Sequence, residues 1–272
     1  MMIVAALLTA AQFETTSIER GALPAAWTTA ASCPETPAFR VHAYNADFAI
    51  LRQSGCTNFE KPFLYLIFGA DRVLLIDTGA PGAQVKDTIV RLLQERSSSR
   101  QPRLLVLHSH RHGDHVAGDT ELRTLPGVEF GDAPRDATTI DLGGRILDVL
   151  PIPGHEPASI AVYDRRTGIL LTGDTLYPGR LYVRDHEAFR ASIRRLVAFT
   201  QDRVVTHVLG AHIENTRTPY VDYPEGTKHQ PEEHVLELGR AHLLELSDAL
   251  ERMNGPIVRL ALRDFTIWPV SR

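Results

Sequence analysis

Cysteine, methionine and tryptophan are scarce in this chain, with two, three and two residues among 272. The two cysteines, Cys33 and Cys56, lie near no chemistry-bearing motif, which argues against either as a metal ligand or nucleophile. In an exported protein such a pair is a candidate disulfide; in a reducing compartment both would be inert thiols. No apolar run reaches the length of a membrane span. No basic run exists, and the net charge of −4 leaves no electrostatic footprint for nucleic acid. Sequence repeats are missing too. What remains is an ordinary soluble composition, 43% hydrophobic and 23% charged, in a chain long enough for one large domain or two small ones.

Residues 1–11 (MMIVAALLTAA) are short, apolar and rich in small residues, like the hydrophobic core and cleavage end of a secretory signal, although a positively charged leader is lacking. They point to a periplasmic or secreted location, with a cytoplasmic chain as the alternative. Residues 12–38 carry Ala, Thr and Pro without periodicity and read as an irregular arm. A single domain is expected over 39–272.

The densest chemistry sits at Leu104–Gly118. Leu104 to Leu107 form an unbroken apolar run that reads as a short buried strand. The pattern then breaks into His110-x-His112-x-Asp114-His115, with Gly113 able to tighten the turn. His110 and His112, two apart, project to one side of an extended backbone. At ordinary His and Asp frequencies this spacing arises by chance in roughly one chain of this length in a thousand. Nitrogen and carboxylate donors are the ligands that borderline divalent metals take. The function of this stretch is therefore read as metal binding.

The flanking pattern supplies the scaffold. Arg40 to Tyr44, Phe48 to Gln53, Phe63 to Phe68 and Val73 to Ile76 are β-rich runs. Gln84 to Glu95 places Val85, Ile89, Leu92 and Leu93 at helical spacing. A helix is expected over Val116 to Leu122, then strands at Val128–Phe130, Thr138–Leu142 and Arg145–Ile152, and a hairpin of Ser159–Asp164 with Gly168–Thr172. Asp185 to Phe199 reads as a helix and Val204 to Leu209 as a strand. Pro231 to Met253 reads as one long helix, with Glu232 and Glu233 favouring its dipole, and Ile257 to Ile267 as a last strand. Two mixed sheets packed face to face with helices outside, an αββα sandwich, satisfy this order.

The motif resembles the signature of the metallo-β-lactamase-fold metallohydrolases, and further matches follow in the family's order: Pro153-Gly154-His155, Thr172-Gly173-Asp174 and Gly210-Ala211-His212. The resemblance runs from about Phe39 to Trp268. It implies two divalent ions, zinc by default with iron or manganese compatible. His110, His112 and His155 would hold one; Asp114, His115 and His212 would hold the other; Asp174 would bridge them. It further implies a hydrolase in which a metal-bridging hydroxide attacks a carbonyl of a small ester, thioester or lactone, with Asp114 orienting the nucleophile and passing a proton. An aspartate at 174 places the chain nearer the glyoxalase II and lactonase branches than the β-lactam hydrolases. Glyoxalase II, however, has a longer helical C-terminal region for glutathione than the forty or so residues after Pro231 supply. The alternatives are a β-lactam hydrolase and a mononuclear iron persulfide dioxygenase using His110, His155 and Asp174.

The resemblance also assigns Asp77 to orienting the metal-binding loop; capping of the following helix is the competing reading. Tyr177 and Arg180 could line the substrate pocket, the first donating to a carbonyl and the second pairing a carboxylate, or could lie in a solvated loop. His108 is expected to share the side of the ligands or pack below them. His42, His186, His207, His229, His234 and His242 lack ligand spacing and are expected at the surface or satisfied in the core.

Overall fold

The structure is a computed structural model that describes residues 17–27, 33, 36–96 and 103–270. The signal-like stretch at 1–11 lies outside them. Strands β1 (Phe39–Asn45), β2 (Phe48–Gln53), β3 (Phe63–Phe68) and β4 (Arg72–Ile76) form an antiparallel meander. Helix α1 (Val85–Arg96) crosses over to β5 (Arg103–Leu107), which lies parallel to β4. Two single-turn helices, α2 (Gly113–Val116) and α3 (Asp119–Leu122), precede the short edge strand β6 (Glu129–Phe130).

The second sheet begins with β7 (Thr138–Asp141), β8 (Ile146–Pro151), β9 (Ile160–Asp164) and β10 (Ile169–Gly173), again antiparallel. After β11 (Arg180–Val183) and α4 (His186–Phe199), strand β12 (His207–Gly210) joins it parallel to β10. Strand β13 (Glu237–Leu238) closes that edge. The chain ends with α5 (Arg240–Arg252), β14 (Leu260–Ala261) and β15 (Thr266–Pro269), and β11, β15 and β14 make a small third sheet.

Period-two alternation explains the layering. Phe48 and Ile50 of β2, Leu74 and Ile76 of β4, and Ile169 and Leu171 of β10 meet in one core between the two large sheets. Their neighbours face outward. Leu51, Leu64 and Leu75 pack with Val85, Ile89 and Leu92 of α1 on one side. Ala161, Leu170 and Val208 pack with Phe189 and Ile193 of α4 and Leu243 and Leu246 of α5 on the other. The result is the αββα sandwich. Among the described residues no helix is long and apolar enough to cross a membrane.

Several local expectations give way to tertiary contacts. The helix expected from Pro231 starts only at Arg240. Glu233 is instead drawn into a buried pair with Arg52 at 2.5 Å and accepts the Trp27 amide at 3.1 Å, so it favours no helix dipole. The expected helix over Val116 to Leu122 is divided at Ala117–Gly118. A Cβ on Gly118 would stand 2.4 Å from the Thr78 carbonyl, so that close approach requires glycine. The last expected strand becomes the β14–β15 pair. Residues 17–27 lack regular structure yet are packed on the body: Trp27 is buried edge-on against Phe63, with ring centres 4.9 Å apart.

Cys33 and Cys56 are joined as a disulfide with a sequence separation of 23. Closing a loop of that length in the unfolded chain stabilises the fold by about 3 kcal/mol. Thermal unfolding in the presence of reductant should therefore lower the melting temperature by several degrees, and an unchanged value would remove the disulfide from the account of stability.

Candidate metal centre

The site lies at one rim of the sandwich, where several strands end. The loop after β5 carries His110, His112, Asp114 and His115; the turn after β8 brings His155; Asp174 follows β10 and His212 follows β12. Two groups of side chains result, His110–His112–His155–Asp174 and Asp114–His115–Asp174–His212, each with donor atoms within 4.8 Å of one another. Asp174 belongs to both. Its Oδ2 is 3.6 Å from His110 Nε2 and 3.5 Å from His155 Nε2. Its Oδ1 is 3.6 Å from His115 Nε2 and 3.4 Å from His212 Nε2.

The imidazoles are oriented from outside. His115 Nδ1 lies 2.8 Å from Asp77 Oδ2, His155 Nδ1 2.8 Å from the Tyr182 carbonyl and His212 Nδ1 3.0 Å from the Glu60 carbonyl. His110 Nδ1 is 3.1 Å from Ser109 Oγ, whose own proton goes to Asp77 Oδ2 at 2.7 Å. Each ring donates its outer N–H to an acceptor and so aims the lone pair of its other nitrogen inward. His112 enters through Nδ1, 2.9 Å from His110 Nε2 and 3.0 Å from His155 Nε2.

These spacings fit metal ions. Ligand atoms about 2.0–2.1 Å from a tetrahedral ion lie about 3.3 Å apart. Neighbouring inward donors such as His110 and His112, or His110 and Asp174, stand 2.9 and 3.6 Å apart, and all donors of a group lie within 4.8 Å of one another. Asp174 Oδ1 is also a buried carboxylate oxygen with no hydrogen-bond partner among the described residues. That atom is costly to bury unless a cation or a proton meets it.

Electrostatics divide the two groups. Burial pushes His110, His112 and His155 below the usual histidine range, so all three favour the neutral, ligating form. Burial also opposes protonation of His212, but the Asp174 and Asp114 carboxylates override it and lift His212 to about 9. His115 is likewise raised against its burial, by Asp77 and Asp174. Asp114 and Asp174 are held well below the carboxylate range despite burial, Asp114 by His115 and His212 and Asp174 by His212 and His115. The carboxylates of the second group thus favour the protonated form of His115 and His212 where no cation faces them.

A metal must displace those protons. Loading near neutral pH should release them, and affinity at the second group should rise with pH up to about 9. Because the folded value for His212 exceeds the unfolded one, its proton stabilises metal-free protein below about 6.5 and is lost as pH climbs through about 9. Calorimetric metal titrations in buffers of different ionisation enthalpy check the release. Affinity that is flat between pH 7 and 9 would contradict it.

Asp77 is buried at the turn after β4 with φ of +67°, and it accepts from Ser109 N at 2.7 Å as well as from Ser109 Oγ and His115. The structure thus gives it the loop-orienting contacts; α1 begins only at Val85. Tyr177 is buried behind His212, with ring centres 5.7 Å apart, and its hydroxyl donates to the Arg180 carbonyl. Arg180 is neither in a solvated loop nor free to pair a substrate carboxylate. It sits on β11 with Nη1 3.0 Å from Glu214 Oε1 and Nε 2.7 Å from Asp222 Oδ2. His108 is not among the grouped donors and pairs with Asp119, while His234 and His242 both face Asp264. Sequence reading assigned no role to Glu214, nor to the Glu60 and Tyr182 carbonyls. Glu214 carried no motif, and a backbone acceptor leaves no mark in residue type.

The sequence profile of the metallo-beta-lactamase superfamily matches residues 59–131 and 129–212. The chain is 33% identical over 127 residues to the hydroxyacylglutathione hydrolase of Anaeromyxobacter dehalogenans, covering 42% of this chain and 46% of that one. It is 30% identical over 178 residues to the hydroxyacylglutathione hydrolase of Pseudomonas entomophila, covering 57% and 68%. The chain thus spans between about half and two thirds of the length of these relatives. Among solved structures it is similar to a metallo-beta-lactamase from Erythrobacter litoralis, with TM-score 0.56 and 16% identity over 80% of this chain and 99% of that one. It is similar also to one from Pontibacter korlensis, with TM-score 0.54 and 18% identity over 79% and 100%. At such identities these two likenesses speak for the fold alone. With a profile match from residue 59 to 212, more than half of its length, the chain belongs to the metallo-beta-lactamase superfamily.

Proposed function

We propose that the protein is a metal-dependent hydrolase with two divalent ions, most simply zinc, that cleaves a small thioester, ester or lactone. The observation that carries the reading is Asp174, whose two oxygens face separate donor groups. His110, His112 and His155 with Asp174 would hold one ion, and Asp114, His115 and His212 with Asp174 the other. When bound, such a pair supplies a nucleophile at neutral pH and Lewis acidity toward a carbonyl oxygen.

The chain's own groups supply the rest. Asp77, Tyr182 and Glu60 fix ring orientation through the outer N–H groups. Asp114 keeps 20% of its side chain exposed against 8% for Asp174, so it is the carboxylate placed to take a proton from the attacking water and return it to a leaving group. A complete second donor group supports two ions over the single iron of a persulfide dioxygenase. The names of the curated relatives favour a thioester, since hydroxyacylglutathione is one. The Cys33–Cys56 disulfide supports an oxidising, extracytoplasmic location; recovery of the protein only in a cytoplasmic fraction would overturn that part.

The test is a panel of thioesters, esters, lactones, phosphodiesters and β-lactams, with elemental analysis of the same sample. Turnover of carbonyl substrates, abolished by chelation and restored by zinc, is expected. Preference for phosphodiesters or β-lactams, or activity that survives complete metal removal, would overturn the reading.

A further inference from the structure

Beneath the second donor group lies a set of polar side chains that the chemistry above does not use. His108, the residue after β5, places its ring beside Phe130, with ring centres 6.4 Å apart. Its Nε2 is 3.1 Å from Asp119 Oδ1 and 3.2 Å from Oδ2, so α3 is tied to the end of β5. Asp119 Oδ1 also accepts from Thr78 Oγ1 at 2.9 Å. Thr78 in turn donates its amide to the His115 carbonyl at 2.8 Å, and its hydroxyl reaches the same carbonyl at 3.2 Å.

Two separate grips on His115 result. Asp77 holds its ring at Nδ1, and Thr78 holds its backbone carbonyl. Both come from one turn, in which Asp77 adopts a left-handed φ of +67°, a conformation that a side-chain-bearing residue rarely takes. Such a turn persists only where its surroundings hold it. Among the described residues the side-chain hydrogen bond that Thr78 makes outside the ligand loop goes to Asp119, and His108 holds Asp119 at both oxygens. His108 Nδ1 remains a buried nitrogen without a hydrogen-bond partner among the described residues, 3.8 Å from Asp77 Oδ1.

We propose that His108 and Asp119 are positioning residues for the second metal: through Thr78 they brace the turn that sets the ring and backbone of His115. The inference rests on the two-metal reading. The brace acts directly on the Asp114–His115–Asp174–His212 group through His115; it reaches the other group only at His110, by way of Ser109 and Asp77, and does not touch His112 or His155. It predicts an asymmetric effect, since residues that orient ligand histidines change metal affinity by about 10- to 100-fold.

Metal-free protein titrated with Co²⁺, followed by its visible absorption and by ions bound per chain, reads this directly. In the unsubstituted protein two equivalents are expected. His108→Leu and, independently, Asp119→Leu should weaken the second equivalent about 10- to 100-fold and the first, which the turn reaches only at His110, by much less. His108→Gln keeps an N–H at the right reach toward Asp119 and should restore most of the second affinity. Both His108 and Asp119 line an open cleft of about 490 Å³, which leaves room for the exchanged side chains. Melting temperatures of the metal-free variants separate binding from folding. The proposal is overturned if the leucine variants bind both ions as tightly as the parent, if they lose both equally, or if His108→Gln is no better than His108→Leu. If the parent itself binds fewer than two ions, it is the two-metal reading that fails.

Discussion

Asp174→Asn should lower the metal content from two ions per chain to at most one and reduce kcat/KM at least about a thousandfold. The magnitude follows from charge. Paired ions of this kind stand about 3.5–4 Å apart. At that separation even unit charges repel by about 4 kcal/mol at an effective dielectric of 20, which is about three orders of magnitude in affinity. Among the described residues Asp174 is the carboxylate shared by both donor groups, with its oxygens 3.4–3.6 Å from four imidazole nitrogens. The asparagine keeps the shape and removes the charge. Elemental analysis and steady-state kinetics on the same preparation measure both effects, and a variant that retains two ions would remove Asp174 from the bridging role.

The second large effect is expected at Asp77, and it should appear in stability as much as in activity. Its carboxylate accepts three buried donors, Ser109 N, Ser109 Oγ and His115 Nδ1. Asp77→Ala leaves all three without that partner in a site that water reaches poorly. At about 1–3 kcal/mol for each unsatisfied donor, the loss is on the order of 3–9 kcal/mol. At about 2–4 °C per kcal/mol for a chain of this size, the melting temperature should fall by roughly 10 °C or more. Metal affinity should fall with it, because the His115 ring loses the acceptor that fixes it. A fall of less than about 2 °C would show that the Asp77 hydrogen bonds contribute little.

Some of this was legible in the residues and some was not, for physical reasons. Strands such as Phe48–Gln53 and Phe63–Phe68 were recognisable because β-rich runs bounded by turn residues mark buried strands. The histidine cluster stood out because donors of that kind rarely fall together. By contrast, the start of α5 was hidden. Pro231, Glu232 and Glu233 favour a helix locally, but a buried Arg52–Glu233 pair and the pairing of Glu237 and Leu238 with β12 decide otherwise. Arg180 looked available for a substrate because its partners, Glu214 and Asp222, lie 34 and 42 residues away. The third sheet escaped notice for a similar reason: β11 and β15 are four-residue strands that pair across more than eighty positions. Asp119 and Thr78 carry no motif; their part emerges only when the turn after β4 and the helix after the ligand loop are seen side by side.

The central claim is that seven side chains from four separate stretches hold a pair of ions with Asp174 between them. Anomalous diffraction from zinc-loaded crystals at the metal absorption edge tests it most directly. The account predicts two peaks, one within His110, His112 and His155 and one within Asp114, His115 and His212, each in contact with one Asp174 oxygen. A single peak, or two with Asp174 bound to neither, would contradict it.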